Sequence, residues 1–440
     1  MSANDADRWA CTLNVIQPHL DRQHSFGADV VSLEVWSMNQ LERSNEETGH
    51  RISWTAANMP LLASIGDEFS HTRPFEGLRI GVSLHLEPKT AVLLEVLTRG
   101  GAHIVAAGNY GTTQDDVVRY LVEKGIDARG SGTDTAASHL DVVASVVAER
   151  PDILLDNGAD LVKLVLERGF DVLGGTEETT SGHMRLRDEF RDRLAFPMVV
   201  INDSPLKAIA ENKHAVGQSV YESFCRLTNL MPQGKRFVVV GYGWCGRGIA
   251  HYARANGAHV AVAEIDEIIT LEAALDGFRV GSLLDVIEQA DVVITATGAR
   301  NVVGADVLAL LPSGVLLANA GHFPNEIDVE ALEQQTLEHV ILGEAITRHV
   351  LAGGRMIDLV AGGRMLNLAG PYPKGNSIES MDLGFAMQAR SLERVARHHG
   401  DLSPGPQPVP DDINRSLAVA FVAAMQNWAS VRSGRLGSNT

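Results

Sequence analysis

From Leu78 onward, short apolar runs alternate with longer segments whose apolar residues recur at helical spacing. LRIGVSLHL reads as a strand, PKTAVLLEVLTRGG as a helix, AHIVAAG as a strand and TTQDDVVRYLVEKG as a helix. DILLDNG, FDVLGGTEE and MVVIND are further apolar runs that end in polar or Gly-rich turns. Strands alternating with helices predict a parallel, doubly wound sheet. A long helix over about 207–230 leads to a second series: KRFVVVGYGWCGRGIAHYARANGAHVAVAEID, then ADVVITATG, then GVLLANAGHF. The pattern predicts an α/β protein with two such sheets. The Pro-rich stretch Ser403–Pro410 reads as a stiff connector. After it, a helix of roughly 412–432 carries Leu417, Ala420, Phe421, Ala424 and Trp428 at helical spacing, a face suited to packing on a neighbouring domain or subunit. Residues 1–50 are polar and weakly patterned and read as an N-terminal extension.

Composition narrows the class. The 440 residues are 45% apolar and 21% charged, ordinary for a soluble protein of two or three domains. A formal net charge of -18 repels nucleic acid phosphates and anionic lipid, which argues against both partners. Cys11, Cys225 and Cys245 are too few and too scattered for a disulfide framework or a cysteine zinc site, and no metal site is predicted. The opening MSANDADRWACTLN lacks a basic segment followed by an apolar core, and no run approaches the roughly 18 apolar residues of a membrane span. A cytoplasmic protein is expected.

Ligands of doubly wound sheets gather beyond the carboxyl ends of the strands, which marks His85, Asp156, Asn157, Glu177, Glu178, Asn202 and Asp203 as candidates by position. A more specific signal is Gly241-x-Gly243-x-x-Gly246, with Gly248 following, between the strand FVVV and a helix. Such glycines permit a tight turn and let backbone N–H groups approach a pyrophosphate at the helix N-terminus. Glu264 closes the next strand, where a carboxylate accepts hydrogen bonds from a ribose diol and repels a 2′-phosphate, so NAD is predicted over NADP. Both domains are thus expected to be Rossmann-like. Trp244 and Cys245 inside the loop read as packing residues.

EETTSG (177–182), INDSPLK (201–207), the GYGxxGxG loop, AEID (263–266), NAGHF (319–323) and the stretch from NLAG to MDLGFAMQA (367–389) occur in this order. Over about residues 52–400 the sequence resembles the S-adenosylhomocysteine hydrolase family. The resemblance implies a discontinuous substrate domain (51–207 and 380–402) around a central NAD domain (212–376), a C-terminal helix and tail (411–440), hinges near 207–215 and 376–385, and a homotetramer. It implies a small nucleoside substrate and tightly held NAD. In such chemistry the 3′-hydroxyl is oxidised so that the 4′ proton becomes acidic, the 5′ substituent is eliminated, water adds across the 4′,5′ double bond, and the ketone is reduced again. Lys207 would be the base for the oxidation, with its pKa lowered by burial or another cation, and Asn202 would orient it or the cofactor. Glu178 would hold the sugar diol, and His85 and His322 would flank the 5′ side. Thr179, Thr180, Ser181, Asn212 and Asn367 would line the NAD.

Several positions depart from the family pattern. Glu87 and Lys89 stand where common members have Thr and Glu, and a lysine can only donate, as the O6 of hypoxanthine would require. Some prokaryotic relatives share this form. Asn157 replaces an acid, and an amide cannot be a general base; Glu211 replaces an Asp that contacts the sugar; Asn376 stands where a ligand-closing histidine is usual. The end, RSGRLGSNT, lacks the Lys and Tyr tail with which many members reach a neighbour's NAD. The resemblance and its departures together imply an NAD-dependent nucleoside lyase or dehydratase that stops at a 4′,5′-unsaturated nucleoside. A hexulose adenine nucleoside of the psicofuranosyl (angustmycin) type, made for nucleoside antibiotic biosynthesis, is one such case. The alternatives are an adenosylhomocysteine or inosylhomocysteine hydrolase and a non-catalytic NAD-binding paralogue.

Overall fold

The computed structural model describes residues 45–321, 325–370 and 373–426, so His322, Trp428 and most of the N-terminal extension lie outside the described residues. The chain divides into two units after Thr48, and both sheets belong to the larger, Gly49–Thr440. Strands β1 (Arg79–Leu84), β2 (His103–Gly108), β3 (Asp127–Arg129), β4 (Ile153–Asp156), β5 (Gly174–Glu177) and β6 (Pro197–Val200) form a first sheet. A second sheet holds β7 (Arg236–Val240), β8 (His259–Ala263), β9 (Arg279–Gly281), β10 (Val292–Thr295), β11 (Val315–Asn319), β12 (Thr336–Gly343), β13 (Ile346–Leu351) and β14 (Met356–Val360). The last strand, β15 (Gly405–Pro408), returns to the first sheet beside β6.

The period of two explains the layering. Ile104, Ala106, Ile153, Leu155 and Val199 bury on one face of the first sheet, and the alternating Val105, Ala107, Leu154, Met198 and Val200 on the other. Phe237 and Val239 likewise face one core of the second sheet, and Val238 and Val240 the other. Both faces are covered, as parallel sheets require. The strand orders, β15-β6-β5-β4-β1-β2-β3 and β12-β13-β14-β11-β10-β7-β8-β9, reverse direction between β4 and β1 and between β10 and β7. Loops leaving those strands open the crevices in which doubly wound sheets bind ligands. At one edge the second sheet is extended by β12 and β13, which run antiparallel through β14.

Three expectations need correction. The Pro-rich segment is not a connector: Gly405–Pro408 pairs in parallel with Pro197–Val200 as an edge strand, where a proline's missing N–H can face away from the ladder. The helix expected over 207–230 is not regular. A single turn, Pro205–Lys207, passes into a π-helical stretch, Ala208–Ala215, before the α-helix Val216–Thr228. The final helix spans Asp411–Gln426 within the described residues, and Leu417 and Ala424 bury into the first core whereas Ala420 is exposed.

The chain re-enters the first core through the helix Ile378–His398, whose Leu383, Phe385, Met387 and Leu392 are buried there. The Asp382 carboxylate accepts from the backbone N–H groups of Leu61 and Leu62 at 2.8 and 2.9 Å, satisfying the otherwise orphaned start of the helix Pro60–Thr72.

Candidate active site

A buried charge cluster sits where the first sheet meets the π-helical stretch. Ser204 caps the turn Pro205–Lys207 by accepting from Leu206 N, and one wide turn later the chain presents Glu211. Lys207 Nζ donates to Glu178 Oε1, just beyond β5, and to Glu211 Oε2 at 3.0 Å. Gln388 Nε2, from the returning helix, donates to the other oxygen of Glu178. Glu211 is 2% exposed and Gln388 fully buried. A Cβ on Gly384 would stand 1.8 Å from Glu211 Oε1, so the absence of a side chain there makes room for the longer acid.

The electrostatics reverse one expectation. Burial pushes the Lys207 pKa down, but Glu178 and Glu211 outweigh it, and the net direction is upward from the ordinary lysine value. Two carboxylates share one ammonium, so one proton is easily retained by an acid. Burial, partly offset by Lys207 and reinforced by Glu178, pushes Glu211 up to about 7. Lys207 is therefore held as a cation, and Glu211 is the group poised to exchange a proton near neutrality.

On the side of the strand ends, His85 follows β1 with Nδ1 2.7 Å from Thr112 Oγ1. Asn157 Oδ1 accepts from Asn109 Nδ2 at 3.2 Å. Asp156 and Glu177 serve the scaffold. Glu177 accepts from the backbone N–H of Gly158, Ala159 and Thr179, and Asp156 from those of Asn157 and Val162. Burial raises Asp156 to about 6, and burial together with Asp156 raises Glu177 to about 8. Thr179 caps the helix Thr180–Asp188 through Gly182 N, with Ser181 Oγ 3.1 Å from its hydroxyl, while Thr180 is exposed. Glu87 and Lys89 pair at 3.0 Å, and Lys89 Nζ also donates to Lys374 O, beside Asn376 in sequence.

The glycine loop has the form a dinucleotide needs. Gly241 adopts φ +93°, a Cβ on Gly246 would lie 2.0 Å from Gly241 O, and the space above Gly243 is open. Glu264 accepts from Tyr242 N at 2.7 Å and from the N–H groups of Ile265 and Asp266, which ties the end of β8 to the loop. Burial pushes the Cys245 thiol up to about 11, which argues against a reactive thiol, whereas Trp244, expected to pack, is 45% exposed. Asn212 Nδ2 donates to Asn202 Oδ1 at 3.3 Å. Ser219 Oγ accepts from Asn367 Nδ2 and donates to Asn376 Oδ1, linking two predicted residues. Asn367 Oδ1 is buried with no hydrogen-bond partner among the described residues. A buried acceptor awaiting a donor fits the carboxamide of NAD, as the loop fits its pyrophosphate.

Sequence reasoning missed Gln388, Ser219 and Glu326. Glu326 is fully buried, accepts from Thr297 N, Thr297 Oγ1 and Gly298 N, and would meet a Cβ on Gly321 at 1.5 Å. No spacing rule marks these residues, because each acts on a partner from another element.

The sequence matches two family models, "S-adenosyl-L-homocysteine hydrolase" over residues 42–172 and "S-adenosyl-L-homocysteine hydrolase, NAD binding domain" over residues 212–372. It is 41% identical to an S-inosyl-L-homocysteine hydrolase of Methanopyrus kandleri, over 85% of this chain and 89% of that one. It is 39% identical to an adenosylhomocysteinase of Thermococcus kodakarensis, over 85% and 90% of the two chains. An adenosylhomocysteinase of Thermotoga maritima is also 39% identical, over 84% of this chain and 92% of its own.

Proposed function

The chain belongs to the S-adenosyl-L-homocysteine hydrolase family and uses NAD, and from that premise we propose that it is a redox-neutral nucleoside lyase. It oxidises a sugar 3′-hydroxyl, eliminates the 5′ substituent, and reduces the ketone to leave a 4′,5′-unsaturated nucleoside. With hydroxide leaving as water it is a dehydratase. NAD, when bound, supplies the reversible hydride acceptor. Asn367 and the Gly241–Gly246 loop hold it.

The chain's own residues handle the protons. Lys207, kept cationic by Glu178 and Glu211, donates a hydrogen bond to the 3′-oxygen and stabilises it as it loses its proton. Glu211, raised to about 7, takes up the proton and returns it in the closing step. Glu178, steadied by Gln388, has acceptor capacity for a sugar hydroxyl.

The observation that carries the reading is a contrast. The oxidation cluster is complete and buried, whereas Asn157 and Asn376 are amides tied to Asn109 and Ser219. An amide can neither deprotonate an attacking water nor protonate a departing hydroxide, so these two positions serve neither direction, and His85 is the group left at the 5′ side to pass a proton to the leaving oxygen. A second reading has its own support: hydrolysis of inosylhomocysteine or adenosylhomocysteine. The curated relatives carry those names, and Lys89 Nζ is a buried donor of the kind a purine O6 accepts from. Assembly as a homotetramer belongs to either reading.

NAD-loaded protein incubated with adenosylhomocysteine, inosylhomocysteine and a panel of 5′-hydroxy nucleosides, including a psicofuranosyl one, separates the two by mass spectrometry. The lyase reading expects a nucleoside that has lost one water, with no net NADH. Release of homocysteine, with no unsaturated nucleoside accumulating, would replace it with the hydrolase reading. Lys207→Ala abolishes turnover under either.

A further inference from the structure

Away from the charge cluster, the outer edge of the second sheet gathers two imidazoles and a carboxylate. Antiparallel pairing sets His339 of β12 directly opposite His349 of β13. Their ring centroids are 5.1 Å apart. The short helix Val329–Gln335, which runs into β12, brings Glu333 over the pair. His339 Nε2 lies 2.6 Å from Glu333 Oε2, and His349 Nδ1 lies 3.9 Å from Glu333 Oε1. One ligand atom from each of the three residues falls within 4.8 Å of the others.

We propose that Glu333, His339 and His349 form a binding site for a divalent transition-metal cation of the zinc class, which clasps the edge strand β12 to β13 and to the helix before it. Two imidazoles and a carboxylate are a donor set zinc accepts, with a fourth position left to water. Zinc–ligand bonds of about 2.0–2.2 Å place tetrahedral donors roughly 3.4 Å apart, so the cluster must contract by at most about 1.4 Å. Glu333 and His339 are about half exposed and can make that adjustment by rotating their side chains, whereas His349 is 1% exposed and fixed. Thr336 Oγ1 donates to Leu332 O at 2.8 Å and lies 3.0 Å from His349 Nδ1, so a metal bound at Nδ1 displaces the proton that this contact now shares. The adjoining Arg348 does not compete, because its guanidinium is engaged by Asp358 at 2.7 and 2.8 Å. A clasp also suits the strand it would hold. β12 is an edge strand with Leu337 and Ile341 largely exposed, and a pinned edge is less open to pairing with another chain.

The test uses the full-length, NAD-loaded protein, freed of any purification tag and stripped of metal with a chelator. It is titrated with zinc ions by calorimetry, alongside His339→Ala and Glu333→Gln. Both substitutions lie on half-exposed side chains and leave the fold and the charge cluster intact. The expected result is one zinc per chain, taken up at about 10 μM or below. Each variant should weaken uptake more than tenfold. Amide exchange in 336–343 should slow on zinc addition in the wild type alone. Equal zinc affinity in wild type and both variants would place any bound metal elsewhere and overturn the proposal, as would no stoichiometric uptake by the wild type.

Discussion

Gly384→Ala probes whether the shape of the charge cluster, rather than only its composition, sets the chemistry. Gly384 lies inside the helix Ile378–His398, where alanine is favoured over glycine by about 1 kcal/mol. With no clash the substitution would stabilise the protein. The new Cβ, however, would stand 1.8 Å from Glu211 Oε1 and 2.8 Å from its carboxyl carbon. Restoring contact at about 3.5 Å displaces the carboxylate by more than about 1.5 Å. The obstacle is the end of a side chain, so it relaxes by swinging. What it swings away from is Lys207 Nζ, now 3.0 Å from Glu211 Oε2.

The overpacking cost of roughly 1–3 kcal/mol is partly cancelled by helix propensity, so net destabilisation is only about 0–2 kcal/mol. The lost charge-assisted hydrogen bond is larger where it acts: about 1.5–3 kcal/mol, or roughly ten- to a hundredfold in rate. Stopped-flow formation of NADH on mixing with a nucleoside reads the oxidation step alone. The expectation is a drop of that size in Gly384→Ala and recovery of most of it in the double variant Glu211→Asp/Gly384→Ala, whose acid is one methylene shorter. The reasoning fails if Gly384→Ala oxidises substrate at the wild-type rate. It also fails if the shorter acid brings no recovery.

Three further outcomes rest on the same geometry. Glu177 and Glu211 have folded-state pKa values of about 8 and 7, above their unfolded values, so the stability they contribute is full below the unfolded carboxylate pKa and is lost as pH rises through the folded one. The lowered histidines His139, His251 and His349 act oppositely, but only as pH passes the ordinary histidine range. Above the histidine range, urea unfolding midpoints should therefore decline from about pH 6.5 to about pH 8 and then level off, and a flat or rising profile over that window would contradict the assignment. Asn157→Asp restores a carboxylate beside Asn109. Under the lyase reading it should convert part of the unsaturated product to a hydrated one, visible by mass spectrometry as oxygen-18 uptake from labelled water. Asn367→Ala removes a buried acceptor that has no partner among the described residues and should weaken NAD retention through gel filtration at least about tenfold in affinity, whereas unchanged retention would free Asn367 of that role.

What could be read in the sequence depended on how local each signal was. β1, β2, β4, β7, β8, β10 and β11 stand out because a strand covered on both faces is a continuous apolar run. β3 and β9 are three residues long and leave no run to recognise. β12 escaped because its apolar residues face outward, and β15 because proline argues against a strand until its edge position is known. The glycine loop was legible for the opposite reason: tight turn, close helix approach and acid are encoded within one βαβ unit. Lys207 could be found from its motif, but its charge state could not. That depends on Glu178 just beyond β5, on Glu211 in a π-helical turn and, through Gln388, on a helix some 180 residues further along.

The substitutions around the pocket are not of one kind, and their structural settings separate them. Where Glu211 is longer than the family's acid, the returning helix carries a glycine that accommodates the extra methylene, and the salt link to Lys207 survives. That is the mark of a charge still in use, since an idle cluster of three buried ionisable groups would be a liability: removing any one leaves the others uncompensated. Asn157 and Asn376 are different. Their amides are bonded to Asn109 and Ser219, so each is built into its surroundings without the capacity to accept a proton from water. One side of the pocket keeps its acid–base chemistry by compensation, and the other has replaced acid–base groups with neutral, hydrogen-bonded ones. Under the lyase reading, that division keeps the oxidation while the unsaturated product is released before water adds; under the hydrolase reading, another group of the site activates the water.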